Sequence, residues 1–203
     1  MKKAFRSFRF IILIFILVGW PHESIAQNGF QEGYVVTKTN DTLYGVVRDR
    51  KLGAFAKLYK KIKFKGKKGK SRYAAKDLIA YKNGDITFEI MKTTRTGQFF
   101  NQQLQLSDSG DYEFFKVIHK GNVSYYMLEF EDADSGHIDG NAYFKKENED
   151  ILIRINQGVF GLKRKKLARY FSDYPELSQR ILNKQLNSPL EIVRFYNTWK
   201  IDN

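Results

Sequence analysis

An alternation of apolar and polar side chains runs through most of residues 34–155 and limits the possible folds more than any other feature. A period of two places successive side chains on opposite faces of a strand, so the pattern predicts half-buried β-strands. Glycine-containing turns divide these strands into hairpins, most clearly at Asn83-Gly84, a dipeptide that readily adopts the positive φ angles of a tight turn. Further hairpins are predicted for Tyr34–Asp49, around Gly121-Asn122, and between residues 142–146 and 151–155.

The stretch "KKIKFK" extends the alternation into a lysine-rich region. Ile62 and Phe64 fall on one face of the predicted strand, and Lys61, Lys63 and Lys65 fall on the other. The following "GKKG" supplies glycines for a turn. The sequence therefore predicts a hairpin with one buried face and one basic face.

After about residue 158 the apolar spacing becomes helical. Residues 161–171 predict a first helix with Leu162, Leu167 and Phe171 facing inward. Residues 174–186 predict a second, which places Leu177, Ile181 and Leu182 on one face and starts with a capping box formed by Asp173 and Glu176.

The final helix is predicted from its start signals. Ser188 precedes Pro189 at the first helical position, and Glu191 lies where its carboxylate reaches back to the cap. Tyr196 and Trp199 follow at helical spacing and are expected to pack on the sheet.

Strands followed by helices predict an α+β fold, in which an antiparallel sheet built from hairpins, strongly curled or open, precedes two or three C-terminal helices. We expect residues 27–203 to form one domain, mainly β over 27–157 and helical over 158–203. Residues 93–111 are rich in Gln, Ser, Asp and Gly and are expected to be largely loop.

The first 26 residues are typical of a secretory signal peptide. Basic "MKKAFRSFR" precedes the eleven apolar residues Phe10–Trp20, and "SIA" places small side chains before Gln27. Eleven residues rise only about 16 Å as a helix, roughly half the hydrocarbon core of a bilayer, so cleavage is favoured over a permanent anchor. Export to the periplasm, the cell envelope or the exterior is expected, with no transmembrane segment in the mature chain.

The charge is concentrated in two segments. The formal net charge is +13, of which residues 1–26 contribute +3 and residues 51–72 contribute +10 through ten basic side chains and no acid. The rest of the chain is balanced. The candidate anion-binding residues are Lys61, Lys63, Lys65, Lys67, Lys68, Lys70 and Arg72.

Two interpretations of this basic segment stay open. Lysines on an exposed strand keep it solvated and discourage edge-to-edge aggregation. Alternatively, the segment contacts anionic envelope polymers or lipid headgroups, which suits an exported protein better than nucleic acid does.

The sequence offers little catalytic chemistry. It contains no Cys, which excludes disulfides, thiolate nucleophiles and Cys-ligated metals. "EDADSGHIDGN" resembles a calcium loop, but His137 occupies the position that requires Gly, so a solvated acidic loop is the favoured interpretation and no metal or cofactor is expected. No nucleophile elbow, zinc-binding pair of histidines or phosphate-binding loop is present.

Several segments together carry a resemblance. The hairpin "GYVVTKTNDTLYGVV" after a leader ending in "AQ", with "YFSDYPELSQRI" and "EIVRFYN" near the end, resembles a group of exported bacterial envelope proteins of unknown function. The resemblance implies a bacterial envelope location and carries no activity, ligand or catalytic residue. A non-catalytic binding or structural module, partnered by an anionic envelope component or another envelope protein, is therefore expected. The alternative is an envelope hydrolase whose carboxylates are distant in sequence.

Overall fold

The computed structural model describes residues 29–51, 61–97, 103–132, 135–156 and 161–202. The predicted signal peptide lies outside these residues. Within them, eleven antiparallel strands precede three α-helices, which confirms the predicted α+β class. The strands are β1 Phe30–Thr37, β2 Thr42–Arg48, β3 Ile62–Gly66, β4 Gly69–Tyr73, β5 Leu78–Asn83, β6 Ile86–Thr96, β7 Gln103–Leu106, β8 Asp111–His119, β9 Val123–Glu131, β10 Ile138–Lys146 and β11 Ile151–Arg154, and the helices are α1 Arg164–Tyr170, α2 Pro175–Leu182 and α3 Pro189–Asp202.

The predicted hairpins all form. β1 pairs with β2, β3 with β4, β5 with β6, β8 with β9 and β10 with β11. Asn40 and Gly84 have φ angles of 65° and 59° in their turns, a conformation that Asn and Gly tolerate best. Alternation and turn chemistry therefore specify the local pairings of this chain.

One long strand organises the sheet. The first part of β6 pairs with β5, its last residues pair with β7, and β8 runs along its opposite edge. The strands β6, β7, β11, β10, β9 and β8 close into a six-stranded ring through the β6–β8 pairing. The remaining strands extend outward from β5 in the order β1, β2, β3 and β4, so β4 has a single neighbour in the described sheet. The predicted curling of the sheet is thus a full closure of one half.

Three apolar clusters stabilise this arrangement. One fills the ring around Phe115, Tyr126 and Leu152. A second lies against the outer strands and includes Ile62 and Phe64. The third lies between the ring and the helices; its buried members are Val123, Tyr125, Ala142, Phe144, Ile153, Ile155, Leu167, Phe171, Leu177, Ile181, Ile192, Val193 and Tyr196.

The helices bury most of the side chains that their spacing indicates. Leu167, Phe171, Leu177 and Ile181 are fully buried, as predicted, and Leu162 packs against the same cluster. Leu182 was predicted to share a face with Leu177 and Ile181, but it is 42% exposed while they are fully buried. It is the last residue of α2 and lines a groove between α1 and α2.

The predicted capping box of α2 does not form. The residue before the helix is Tyr174, no side chain caps the helix, and Glu176 pairs with Arg180 at 2.6 Å instead. Asp173 accepts hydrogen bonds from the ammonium of Lys146 at 3.0 Å and from the hydroxyl of Tyr196 at 2.5 Å. Because its carboxylate is engaged by these two donors, Asp173 does not cap the helix.

Residues 93–111 contain more strand than predicted. β6 continues to Thr96, β7 occupies Gln103–Leu106, and residues 98–102 lie outside the described residues. Thr93 and Leu104 are buried, at 5% and 4% exposure. The polar composition is misleading here because β7 is only four residues long and buries one leucine.

Candidate functional site: a basic face on the outer hairpin

The lysine-rich segment forms the outer hairpin of the sheet. β3 and β4 pair from Ile62 opposite Tyr73 to Gly66 opposite Gly69. Lys67 and Lys68 occupy the turn between them. Gly69 closes the turn with a φ angle of 106°, a backbone conformation in which a side chain would be strained. The predicted turn at "GKKG" is therefore confirmed.

The two faces of this hairpin differ completely in character. Ile62 and Phe64 point inward and are 0% and 5% exposed. The alternate positions of β3, Lys63 and Lys65, point to the other face, which is partly exposed. The inward face is part of the outer core cluster, so the basic face is held rigidly.

Like charges stand opposite each other on that face. Lys63 pairs with Arg72, and Lys65 pairs with Lys70. Side chains directly opposite in an antiparallel pair have Cβ atoms about 4.5–5.5 Å apart, and like charges in such positions destabilise the sheet. We call each pair a cationic rung. Two successive rungs face the same side of the hairpin.

The basic face continues onto the neighbouring hairpin. Arg48 of β2 lies opposite Lys63 and also opposite Phe30 of β1. The ammonium of Lys65 lies 4.1 Å from the centre of the Phe30 ring, and the guanidinium carbon of Arg48 lies 6.0 Å from it. These distances are within the range of cation–π attraction. The ring of Phe30 thus orients two cations of the face.

A groove of about 550 Å³ lies at these cations. Its lining consists of Phe30, Lys63, Phe64, Lys65, Lys70, Ser71 and Arg72. Among the described residues, none of its four cations forms an ion pair with an acid. Lys and Arg side chains provide several hydrogen-bond donors, which suits an anion with more than one oxygen. We call this feature the basic groove.

The structure separates the seven predicted residues into two groups. Lys63, Lys65, Lys70 and Arg72 line the basic groove. Lys61, Lys67 and Lys68 are exposed at the ends of the hairpin and do not line it. Sequence reasoning missed Arg48 and Phe30, because they come from a different hairpin and join the site only through strand pairing.

Other charged side chains are engaged in the fold. Arg50 has a side chain that is 7% exposed and donates to the hydroxyl of Tyr81 at 2.8 Å. Its guanidinium also lies 3.2 Å from Asp49 and 3.5 Å from Glu129, a residue of the ring. Burial raises the pKa of Tyr81 far above its usual value, although Arg50 opposes the shift. Arg50 therefore links the outer strands to the ring.

A second polar cluster includes a tyrosine from inside the ring. Tyr126 donates to Glu89 at 2.7 Å, and the ammonium of Lys120 lies 2.9 Å from the same carboxylate. Burial is the main reason that the pKa of Tyr126 is raised, and the negative charge of Glu89 adds to the shift. The carboxylate is occupied by two donors.

Two further grooves among the described residues offer no carboxylate pair. One groove between α1 and α2 has no acidic lining residue, and one along α3 has only Glu191. In the described ranges, no three His, Asp or Glu side chains converge on a point where a metal ion would bind. Asp132, at the start of the supposed calcium loop, accepts hydrogen bonds from the backbone and hydroxyl of Ser135. No helix of the described chain combines the length and apolar character needed to cross a membrane.

The comparisons with known proteins give no relative. The chain matches no protein-family model, and no curated protein and no solved structure is significantly similar to it. The functional argument therefore depends on the geometry of the site.

Proposed function

We propose that the protein is an exported, non-catalytic binding module of the cell envelope that contacts an anionic partner through its basic groove. The observation that carries this proposal is the pair of cationic rungs, Lys63–Arg72 and Lys65–Lys70. Cross-strand like charges reduce stability, so a bound anion that compensates them gives a reason for their presence.

Protection of a sheet edge explains only part of the pattern. Charged side chains discourage aggregation when they lie on an edge strand, and here the edge strand is β4. Lys70 and Arg72 fit that role. Lys63 and Lys65 do not, because β3 is paired on both sides. Each lysine of β3 lies opposite another cation, and the need to keep the strand solvated does not explain this repulsive arrangement.

Export remains a prediction from residues 1–26 and decides which partners are available. Outside the cytoplasm the abundant anions are envelope polymers, lipid headgroups and acidic surfaces of other envelope proteins, and nucleic acid is not expected. The alternative of an envelope hydrolase stays a prediction as well, and no pair of facing carboxylates in the three described grooves favours it.

The proposal is tested by co-sedimentation of the mature protein, residues 27–203, with anionic and neutral vesicles and by retention on an immobilised anionic polymer. Binding is expected to anionic material alone. It should weaken sharply with salt, because exposed charges are screened over about 8 Å near physiological ionic strength.

Two charge-matched variants make the test specific. Lys63→Gln/Lys65→Gln/Lys70→Gln removes three charges from the basic groove and should reduce binding. Lys165→Gln/Lys184→Gln/Lys200→Gln removes three exposed charges from the helical region and should not. Equal losses of binding in both variants would show that binding depends on net charge and not on the hairpin. A parent protein that binds no anion at low salt would overturn the proposal.

A further inference from the structure

The cations of the basic face have a regular spacing. Along β3, Lys63 and Lys65 are two residues apart, and on β4 their partners Arg72 and Lys70 are also two apart. A strand rises about 3.3 Å per residue, so successive rungs are about 7 Å apart along the hairpin. Lys61 lies just before β3 and Lys67 lies in the turn after it, so the strand spacing applies to the two rungs alone. The groove therefore carries two pairs of cations about 7 Å apart.

The shape of the site favours a chain over a flat surface. The cations line a concave groove, with Phe30 near Lys65. A bilayer presents its headgroups in a plane, so the headgroups contact the rim of such a groove more readily than the interior of the groove. An extended polymer can lie along the groove and place successive groups against successive rungs.

The period and donor types together indicate the ligand. Lys presents point charges and Arg a planar fork, both of which bind phosphate oxygens well. In a polymer with a three-carbon spacer, six backbone bonds separate neighbouring phosphorus atoms. Three extended backbone bonds span about 3.5 Å, so six span about 7 Å. Building on the proposed function, we propose that the basic groove binds a linear phosphodiester polymer with a short polyol spacer, with one phosphate at each rung and spacer carbons against Phe30.

The test uses glycerol phosphate and oligo(glycerol phosphate) chains of two, four and eight repeats, titrated into the mature protein at low salt by calorimetry. Affinity per phosphate should rise steeply from one repeat to two and change little with further repeats, because the two rungs of the groove accommodate one interval. Vesicles of anionic phospholipid at equal phosphate concentration should bind more weakly.

Single substitutions identify the groove as the site. Lys63→Gln and Lys65→Gln should each weaken binding of the four-repeat chain about fivefold, the effect of about one lysine near an anionic surface. Lys165→Gln on α1 is the charge-matched control and should leave the affinity unchanged. Phe30→Leu should weaken the oligomer more than the monomer, because only in the oligomer do phosphates on both sides hold the spacer carbons over the ring.

The outcomes separate this inference from the function on which it rests. Equal affinity per phosphate for monomer, oligomers and vesicles would overturn the polymer while leaving anionic contact in place. Loss of binding in Lys67→Gln/Lys68→Gln, a double variant of the turn, without loss in Lys63→Gln or Lys65→Gln would move the site out of the groove. No binding to any probe at low salt would remove both proposals.

Discussion

The side chain of Asn197 replaces a neighbouring strand for Val123. Its Oδ1 accepts from the Val123 N–H at 2.8 Å, and its Nδ2 donates to the Val123 C=O at 2.9 Å. Both residues are buried, and a Cβ at Gly121 would lie 2.3 Å from Nδ2 of the amide. The amide therefore fixes α3 to the start of β9 in one register.

Asn197→Leu is expected to lower the free energy of unfolding by about 2–4 kcal/mol, because it leaves a buried N–H and a buried C=O unpaired. Urea denaturation measures the loss, with the exposed neighbour Thr198→Ala as control. Gly121→Ala should destabilise in the same direction by displacing the amide. A leucine variant as stable as the parent would show that the two hydrogen bonds are replaced by water at no cost.

Deletion of residues 188–203 should lower the melting temperature strongly or make the protein insoluble. α3 contributes Ile192, Val193 and Tyr196 to the cluster between ring and helices, and Trp199 packs against it. A helix of this length is only marginally stable in isolation, so it depends on its packing against the cluster. Its removal would expose the apolar side chains of the cluster to water. Calorimetry of the truncated chain checks this, and an unchanged melting curve would make the helix an independent appendage.

The two faces of the outer hairpin should respond to mutation in opposite ways. Ile62→Ala or Phe64→Ala should cost about 2–5 kcal/mol, because both side chains are buried. Lys63→Gln/Lys65→Gln should leave stability equal or a few tenths of a kcal/mol higher, because it removes two cross-strand repulsions. Urea midpoints at low salt decide between these results. A clear destabilisation by the glutamines would mean that the lysines serve the fold rather than a ligand.

A pH dependence is expected at Asp173. Burial alone would raise its pKa, but the hydrogen bonds from Tyr196 and Lys146 outweigh burial and hold the pKa of this carboxyl below its usual value. A lowered folded-state pKa contributes stability that is present above the unfolded value of about 3.9 and lost as pH falls through the folded value. The side chain is 43% exposed, so we expect at most about 1 kcal/mol.

The comparison of Asp173→Asn with the parent should therefore show a gap in urea midpoint at pH 7 that closes toward pH 2. Asp111→Asn, an exposed position, is the control. A gap that stays constant down to pH 2 would assign the loss to packing rather than to charge.

Export is expected to remove residues 1–26. Intact-mass measurement on protein extracted from the envelope should find Gln27 as the first residue, as glutamine or in cyclised form. Substitution of Ala26 by a bulky residue should block cleavage, since the cleavage site requires a small side chain. A full-length form confined to the cytoplasm would contradict the prediction and remove the envelope partners.

The sequence predicts the hairpins well because each is encoded over a dozen or so residues by a turn and an alternation. The closure of the ring could not be predicted, because the pairing of β7 with β11 joins residues about 46 positions apart and leaves no local signal. The tertiary hydrogen bonds of Asp173 were missed for a related reason: Lys146 and Tyr196 are each more than twenty residues away.

The candidate site shows the same division. The lysine run could be identified by composition. The alternation also correctly placed Lys63 and Lys65 on one face of the strand and Ile62 and Phe64 on the other. Which strand forms the edge could not be predicted. The identity of the edge strand depends on the order β2, β3, β4 in the sheet. This order decides whether the lysines of β3 lie on an edge strand or on a strand that is paired on both sides.

The double use of β6 has a consequence for how the molecule can be divided. Phe88 and Ile90 of this strand pack into the outer cluster, while Thr93 pairs with both β7 and β8 of the ring. A cut before β6 would deprive the outer strands of their inner boundary, and a cut after it would open the ring. We therefore expect a cut on either side of β6 to unfold both halves of the described sheet, the basic hairpin included.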